Sequence, residues 1–276
     1  MPDVYTHGHH DSVLRSHRWR DAANSAAYVL PHLSPGLELL DVGCGPGTIT
    51  LDLAARVAPG RVVGIDTATE VLAEAEDRRR SAAGEDAPGA TTTTFTTGDV
   101  YALGYERASF DIVHAHQVLQ HLTDPVAALG EIRRVLRPGG LVAVRDSDYG
   151  AFLWAPAVPG LDRWLELYHQ VTAHNGADAD AGRHLLGWVR RAGFDDAVFS
   201  SSTWTFADPH SRAWWSDLWA ERVVASAFSR QALDYALSTR QELTEIAAAW
   251  RHWAGHDDAV FVVPHGEVVA RAPERP

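Results

Sequence analysis

The sequence predicts an α/β fold built on a mostly parallel sheet, and three observations carry that prediction. Across residues 37–147 short apolar runs alternate with segments of helical periodicity, the pattern of βαβ units. The first run ends in an acid and a glycine-rich turn, where an open parallel sheet takes its ligand. After Gly150 the texture changes to long aromatic-rich helical segments with two late strand candidates, which reads as a cap on the same sheet and not as a second domain. With 276 residues, 46% of them hydrophobic, the chain can bury one large core.

Taken in order, the chain opens on a polar, histidine-rich segment in which Tyr5, His7, His9, His10 and His17 accompany Ser12, Arg15 and Arg18. HGHH lacks the helical i, i+4 pair and the cysteine or carboxylate partners of a zinc site, so no metal is expected. The strand runs are LELLDV, RVVGID, TTFTTGD, FDIVHA and LVAVRD; between them residues 48–57, 68–80 and 125–136 have an amphipathic helical pattern. Residues 81–94, SAAGEDAPGATTTT, read as a loop. Later helices are expected around 161–174, 181–192, 211–227 and 230–253. The strand candidates DDAVFSSSTWTF and DAVFVVPHGEVVARA are not separated by a lone crossover helix, so an antiparallel edge is expected. Within the second, Pro264, His265 and Gly266 predict a bend that splits the strand.

Composition excludes several chemistries. All 24 basic residues are arginine, which removes Schiff-base lysines and the lysine of a phosphate-binding P-loop. A single cysteine, Cys44, allows no intramolecular disulfide, no cysteine-rich zinc site and no CxxC pair, and suits a reducing, cytoplasmic setting. The net charge of −12 argues against nucleic acid as a partner. No apolar run approaches the roughly 20 residues of a membrane span, and the first residues do not form a signal core.

Chemistry concentrates at the first strand. Leu39 to Val42 lead into Gly43, Cys44, Gly45, Pro46 and Gly47, with a helix from Thr48; glycine is needed where a Cβ would strike a ligand or forbid the turn. Asp66, with Thr67 beside it, ends the second strand about 20 residues on, where a carboxylate accepts from ribose hydroxyls. Asp99 ends the third, placed to accept from an adenine amino group while Val100 lines the ring. Each aspartate alone also fits a helix cap or turn, but the three features in consecutive strands are much less expected by accident.

These residues resemble the class I S-adenosylmethionine-dependent methyltransferases, in the small-molecule branch that includes ubiquinone and menaquinone biosynthesis methyltransferases. LLDVGCGPGTIT is similar to that family's first motif, VVGID to its second-strand acid, TTGD to its adenine-side acid, VLRPGG to the turn before its fifth strand, and FDIVHAHQVLQHLTDP to its fourth strand and following segment. The resemblance covers roughly 37–146. It implies a Rossmann-like, seven-stranded, mostly parallel sheet with helices on both faces, an antiparallel last strand and a helical cap. S-adenosylmethionine would lie across the carboxyl ends of the first strands and leave as S-adenosylhomocysteine. A nicotinamide dehydrogenase, the rival for this fold, would need a third glycine where Thr48 stands. The acids Asp41, Asp66 and Asp99 suit a sulfonium and oppose a pyrophosphate.

Three regions are expected: a helical lid over 1–36, the cofactor core over 37–147, and over 148–276 cap helices with the last strands of the same sheet. Since family members fold amino-terminal helices over the cofactor, Tyr5 is expected near the sulfonium and Arg15 or His17 near the methionine carboxylate. His116 and Gln117, at the fourth strand's end, are expected to contact the cofactor. Methyl transfer mainly requires alignment and exclusion of water. If the acceptor must lose a proton, the candidate bases are His121, Asp146, Asp148 and Tyr149. Arg183 and Arg222 are candidates to hold an acceptor carboxylate, and Trp214 and Trp219 to wall the acceptor site, although an aromatic stripe at helical spacing is more often core. The expected activity is methylation of an O, N or C atom of a small, aromatic or partly apolar metabolite. The alternative is a cyclisation or elimination that binds the cofactor without transferring its methyl. A homodimer is compatible with the aromatic helices.

Overall fold

Strands β1 (Leu39–Val42), β2 (Val62–Asp66), β3 (Thr93–Thr97), β4 (Phe110–His116) and β5 (Leu136–Ser147) make the parallel frame of the computed structural model, which describes all residues except Met1, Pro2, His9, Arg275 and Pro276. Their spatial order is β3-β2-β1-β4-β5. The chain steps outward from β1 through β2 to β3, then returns to the other side of β1 as β4. The loops after β1 and β4 therefore part and leave a crevice at the carboxyl ends of these strands.

Both faces of the frame are covered, which is why its strands read as apolar runs. Side chains alternate across β1: Leu39 joins Val62 and Ile112 beneath Ile49 and Leu53 of α3 (Thr48–Val57), whereas Leu40 and Val42 face Leu129 and Ile132 of α5 (Pro125–Val135) and Leu185 of α7 (Ala181–Arg191). Helix α4 (Thr69–Gly84) covers β2 and β3 and runs further into the expected 81–94 loop, whose end is taken up by a single 3-10 turn, Ala90–Thr92.

On the far side, β8 (Val260–Arg271) runs antiparallel to β5, and β7 (Asp195–Phe206) runs antiparallel to β8. The sheet has eight strands where the resemblance implies seven. The extra one, β6 (Leu153–Ala155), is three residues long and pairs with the start of β8 beyond the end of β5. The expected break at Pro264 does not occur: β8 is continuous, and Thr203 stays in register with Pro264. The Pro264 carbonyl accepts from the Asp148 N–H at 3.1 Å, so its backbone faces the gap between β5 and β6, where a missing N–H deprives no strand of a bond.

The cap packs α6 (Pro159–His174), α8 (Pro209–Ala225), α9 (Ala227–Asp234) and α10 (Arg240–Ala254) around an aromatic core. Trp164 meets Trp219 and Trp250 edge-on, at 4.5 and 4.9 Å between ring centroids. The helix expected over 230–253 is two helices: Ala236 adopts φ +55°, and Thr239 restarts the chain by accepting from the Glu242 N–H. At the amino terminus α1 (Asp11–Arg18) and α2 (Ala22–Ser25) lie between α8 and α3. Among the described residues no helix is long and apolar enough to cross a membrane.

Helix α7 reaches the sheet through two glycines. A Cβ on Gly266 would lie 2.0 Å from the Gly182 carbonyl oxygen, so backbone meets backbone there. Gly266→Ala is expected to destabilise the protein by roughly 1–3 kcal/mol in urea unfolding. Gly84→Ala, at the open end of α4 where nothing lies within 4 Å, should be neutral or slightly stabilising.

Candidate active site

A cavity of about 600 Å³ occupies the crevice, roofed by the amino-terminal segment and α8. Its floor is the turn after β1, where Gly43, Gly45 and Gly47 all have positive φ, between +53° and +77°. Their roles differ. A Cβ on Gly43 or Gly47 would strike Val118 or Phe95, whereas one on Gly45 would meet only His17, at 3.8 Å, and otherwise fill the cavity. Gly43 and Gly45 line the space; Gly47 does not, because it packs down on Phe95.

Asp66 ties the turn to β2: one oxygen accepts from the Gly45 N–H and the other from the Ala68 N–H, both at 3.0 Å. Asp66, Thr67, Asp99 and Val100 line one end of the cavity. Asp41 reaches its edge, but both oxygens are engaged, accepting from the Thr50 hydroxyl at 2.5 Å and from His114 Nδ1–H at 2.7 Å. At the end of β4, His116 and Gln117 also line the cavity. Gln117 holds φ +54° with its N–H donating to the Arg145 carbonyl. Burial, with Arg145 close by, keeps the His116 imidazole well below its ordinary pKa.

The amino-terminal segment contributes Tyr5, His7, His17 and Arg20. His9 lies outside the described residues. The Tyr5 hydroxyl is 3.4 Å from His17 Nε2, and burial pushes it up to about 12. Arg15, expected at the cofactor, instead turns outward to pair with Glu221 and Asp11. Arg20 takes the inward place, its guanidinium 5.4 Å over Trp204 and lowered to about 10 by burial. Among the described residues it makes no hydrogen bond or ion pair. Sequence reasoning missed it, because Arg20 lies just beyond the end of α1 and only the fold turns it inward.

At the other end the structure separates the candidate bases. Asp148 and Arg183 do not enter the cavity, because they form a two-pronged ion pair with each other, Nε to Oδ2 at 2.7 Å. Asp146 lies behind the wall, accepting from the Gln120 N–H at 3.1 Å, and burial raises its carboxyl to about 8. Tyr149 lines the cavity, stacked 3.9 Å on Tyr168 with its hydroxyl 3.4 Å from His7. His121 also lines it, but its tautomer is constrained. Ser147 donates to Gln120 Oε1, so the Gln120 amide donates to His121 Nε2 and the proton sits on Nδ1. With burial lowering its pKa to about 3, His121 is a neutral hydrogen-bond donor and a poor base.

From the cap, Trp219 and Arg222 face the cavity, joined by Trp204 and Trp215, which sequence reasoning did not single out. Trp214 faces outward against Trp19, 5.4 Å between centroids. Among the described residues there is no cluster of three or more metal-ligating side chains.

A glycine turn at the point of strand reversal, with acids at the ends of the next two strands, defines a class I S-adenosylmethionine-dependent methyltransferase. A family model described as a methyltransferase domain matches residues 33–193, and the chain belongs to that family. An uncharacterized methyltransferase of Schizosaccharomyces pombe is 34% identical over 273 residues, spanning 98% of this chain and 97% of that protein. A probable methyltransferase of Aspergillus luteorubrus is 30% identical, spanning 96% of each. Among solved structures the cyclase SpnF superposes with a TM-score of 0.55 at 22% identity, covering 99% of this chain and 88% of that one. S-adenosylmethionine is the cofactor, and the chain fits it: Gly45 leaves room at the floor, and the Asp66 and Asp99 carboxylates line the cavity beside it.

Asp146 gives a measurable pH signature. A carboxyl whose folded pKa is raised from 3.8 to about 8 stabilises the fold fully only when protonated in both states, and that contribution is lost as pH rises towards 8. Asp146→Asn keeps the acceptor for the Gln120 N–H without the charge. Its melting temperature relative to wild type is expected to rise by several degrees between pH 5 and pH 8; a constant difference would contradict the assignment.

Proposed function

We propose that the protein methylates an O, N or C atom of a small, aromatic or partly apolar metabolite enclosed between an amino-terminal lid and the helical cap. One observation carries this reading: beside the cofactor residues the same cavity is walled by Tyr149, Phe152, Trp204, Trp215 and Trp219. The whole cavity, about 600 Å³, falls within the roughly 300–1,000 Å³ of small-molecule sites, and its aromatic walls interrupted by convergent polar groups are what such ligands require.

In this reading Asp66 accepts the ribose hydroxyls, with Thr67 beside it, and Asp99 takes the adenine amino group while Val100 lies against the ring. The backbone at Gly43 and Gly45 runs beneath the methionine portion. His17 and Arg20, which stand over the turn, face its carboxylate, the role that sequence reasoning gave to Arg15 or His17. Tyr5, His116 and Gln117 close the remaining sides. When bound, the cofactor supplies an electrophilic methyl on a sulfonium sulfur. The chain's own part is to align the acceptor and exclude water. Neither Tyr149 nor His121 is poised as a strong base, so the acceptor atom enters as a nucleophile that needs little help in losing a proton. The likeness to a cyclase concerns the fold alone, and methyl transfer is the reading that the family supports.

Isothermal titration with S-adenosylmethionine or S-adenosylhomocysteine is expected to give micromolar binding, abolished in Asp66→Ala and weakened at least tenfold in Arg20→Gln. No heat with folded wild-type protein would overturn the reading.

A further inference from the structure

The manner in which this chain buries arginine singles out one residue. Arg145 lies buried in the sheet, donating to Glu267 at 3.1 Å and to Ser202. Arg212, also buried, donates to the carbonyls of Ala207, Asp257 and Ala259. Arg222 is only 4% exposed, yet it has no carboxylate among the described residues and only one backbone carbonyl. Its Nη2 donates to the Ser12 carbonyl and the Ser16 hydroxyl, both at 3.1 Å, while Nε is buried without a partner. Among the described residues Nη1 has no hydrogen bond and no carboxylate pairs with the group. The guanidinium lies 4.5 Å over the Trp219 ring, on the cavity wall.

A buried cation without an anion is costly, and packing alone gives no reason to keep one. Burial and the nearby Arg15 disfavour its charge, and Arg222 in turn helps to lower the buried Arg20. In the proposed function the cofactor brings a single carboxylate, to Arg20, together with two positive charges of its own. The facing acids Asp66 and Asp99 belong to the adenosine end. The second guanidinium therefore awaits an anion from elsewhere, and the only other occupant of the cavity is the acceptor.

We infer that the acceptor is an aromatic or apolar monocarboxylate whose carboxylate is held by Arg222. A single guanidinium with one arm already committed to the lid matches a monoanion, because the other guanidinium lining the cavity, Arg20, is taken by the cofactor carboxylate in the proposed function. Trp215, Trp219 and Tyr149 supply the apolar wall for the rest of the molecule. This rests on the methyl-transfer reading and narrows it.

The test titrates benzoate, cinnamate and indole-3-acetate, each against its primary amide, into full-length protein saturated with S-adenosylhomocysteine, read by calorimetry. At least one acid is expected to bind at least tenfold more tightly than its amide. Arg222→Gln should bring that acid to the level of the amide while the variant still binds S-adenosylhomocysteine, which shows that it is folded. Ser16→Ala, which removes one lid contact but keeps the charge, should retain the preference. Equal binding of acids and amides, no binding by any acid, or a preference that survives Arg222→Gln would each overturn the inference. Should Arg222→Gln fail to fold, Arg222→Met, which keeps an apolar stem against Trp219 without the charge, makes the same comparison. Loss of S-adenosylhomocysteine binding by wild type would instead overturn the methyl-transfer reading itself.

Discussion

The crevice depends on one buried carboxylate. Asp41, 3% exposed, accepts from His114 on one oxygen and Thr50 on the other. Asp41 and His114 are register partners, so the bond fastens β1 to β4, the two strands between which the sheet order reverses. Thr50 is the third residue of α3, so the other bond fixes where the helix begins. Between the end of β1 and the start of α3 run five residues of which three are glycines with positive φ, with little side chain of their own to hold them in place. Their position is set from both ends, by the strand before and the helix after, and the Asp66 bond to Gly45 completes the restraint. An ionised carboxylate withdrawn from water is tolerable only when its oxygens are satisfied, and here the groups that satisfy it are those that must be held.

The cavity that results is electrically graded. Carboxylates of Asp66 and Asp99 line it from the strand ends, and guanidinium groups of Arg20 and Arg222 from the amino-terminal segment and α8. In a cleft with apolar walls such a gradient is screened much less than at a surface, so it orients a polar ligand before any contact becomes specific. The acidic chain as a whole carries −12, which makes a cationic pocket within it a local exception instead of an overflow of surface charge.

Much of this was legible in the sequence where the signal is local. The five parallel strands and the helices between them announce themselves by periodicity, and Gly43, Gly45, Asp66 and Asp99 are placed by their position at strand ends alone. What escaped depends on partners far away in the chain. Arg15 and Arg20 are both plausible until Glu221, over 200 residues later, claims the first. Asp148 and Arg183 look like two separate functional groups until α7 docks through Gly182 and joins them. The uninterrupted β8 follows from the end of β5, which no proline rule can foresee. The division between α9 and α10 is a different case: Thr239 and Glu242 give the spacing of a capping box, which outweighs the apolar periodicity running across it.

The amino-terminal segment is fastened to the body at several separate points. Asp3 accepts from the Thr123 backbone and hydroxyl, Asn175 donates to the Thr6 hydroxyl, Gln231 donates to the Tyr5 carbonyl, and Arg222 donates to Ser12 and Ser16. The same stretch presents Tyr5, His17 and Arg20 to the cavity. A ligand that touches this stretch therefore acts on ties that reach α6, α8 and α9. Where two ligands order the same stretch, the second finds part of that ordering already done, and affinity for one is a function of occupancy by the other, in equal measure both ways.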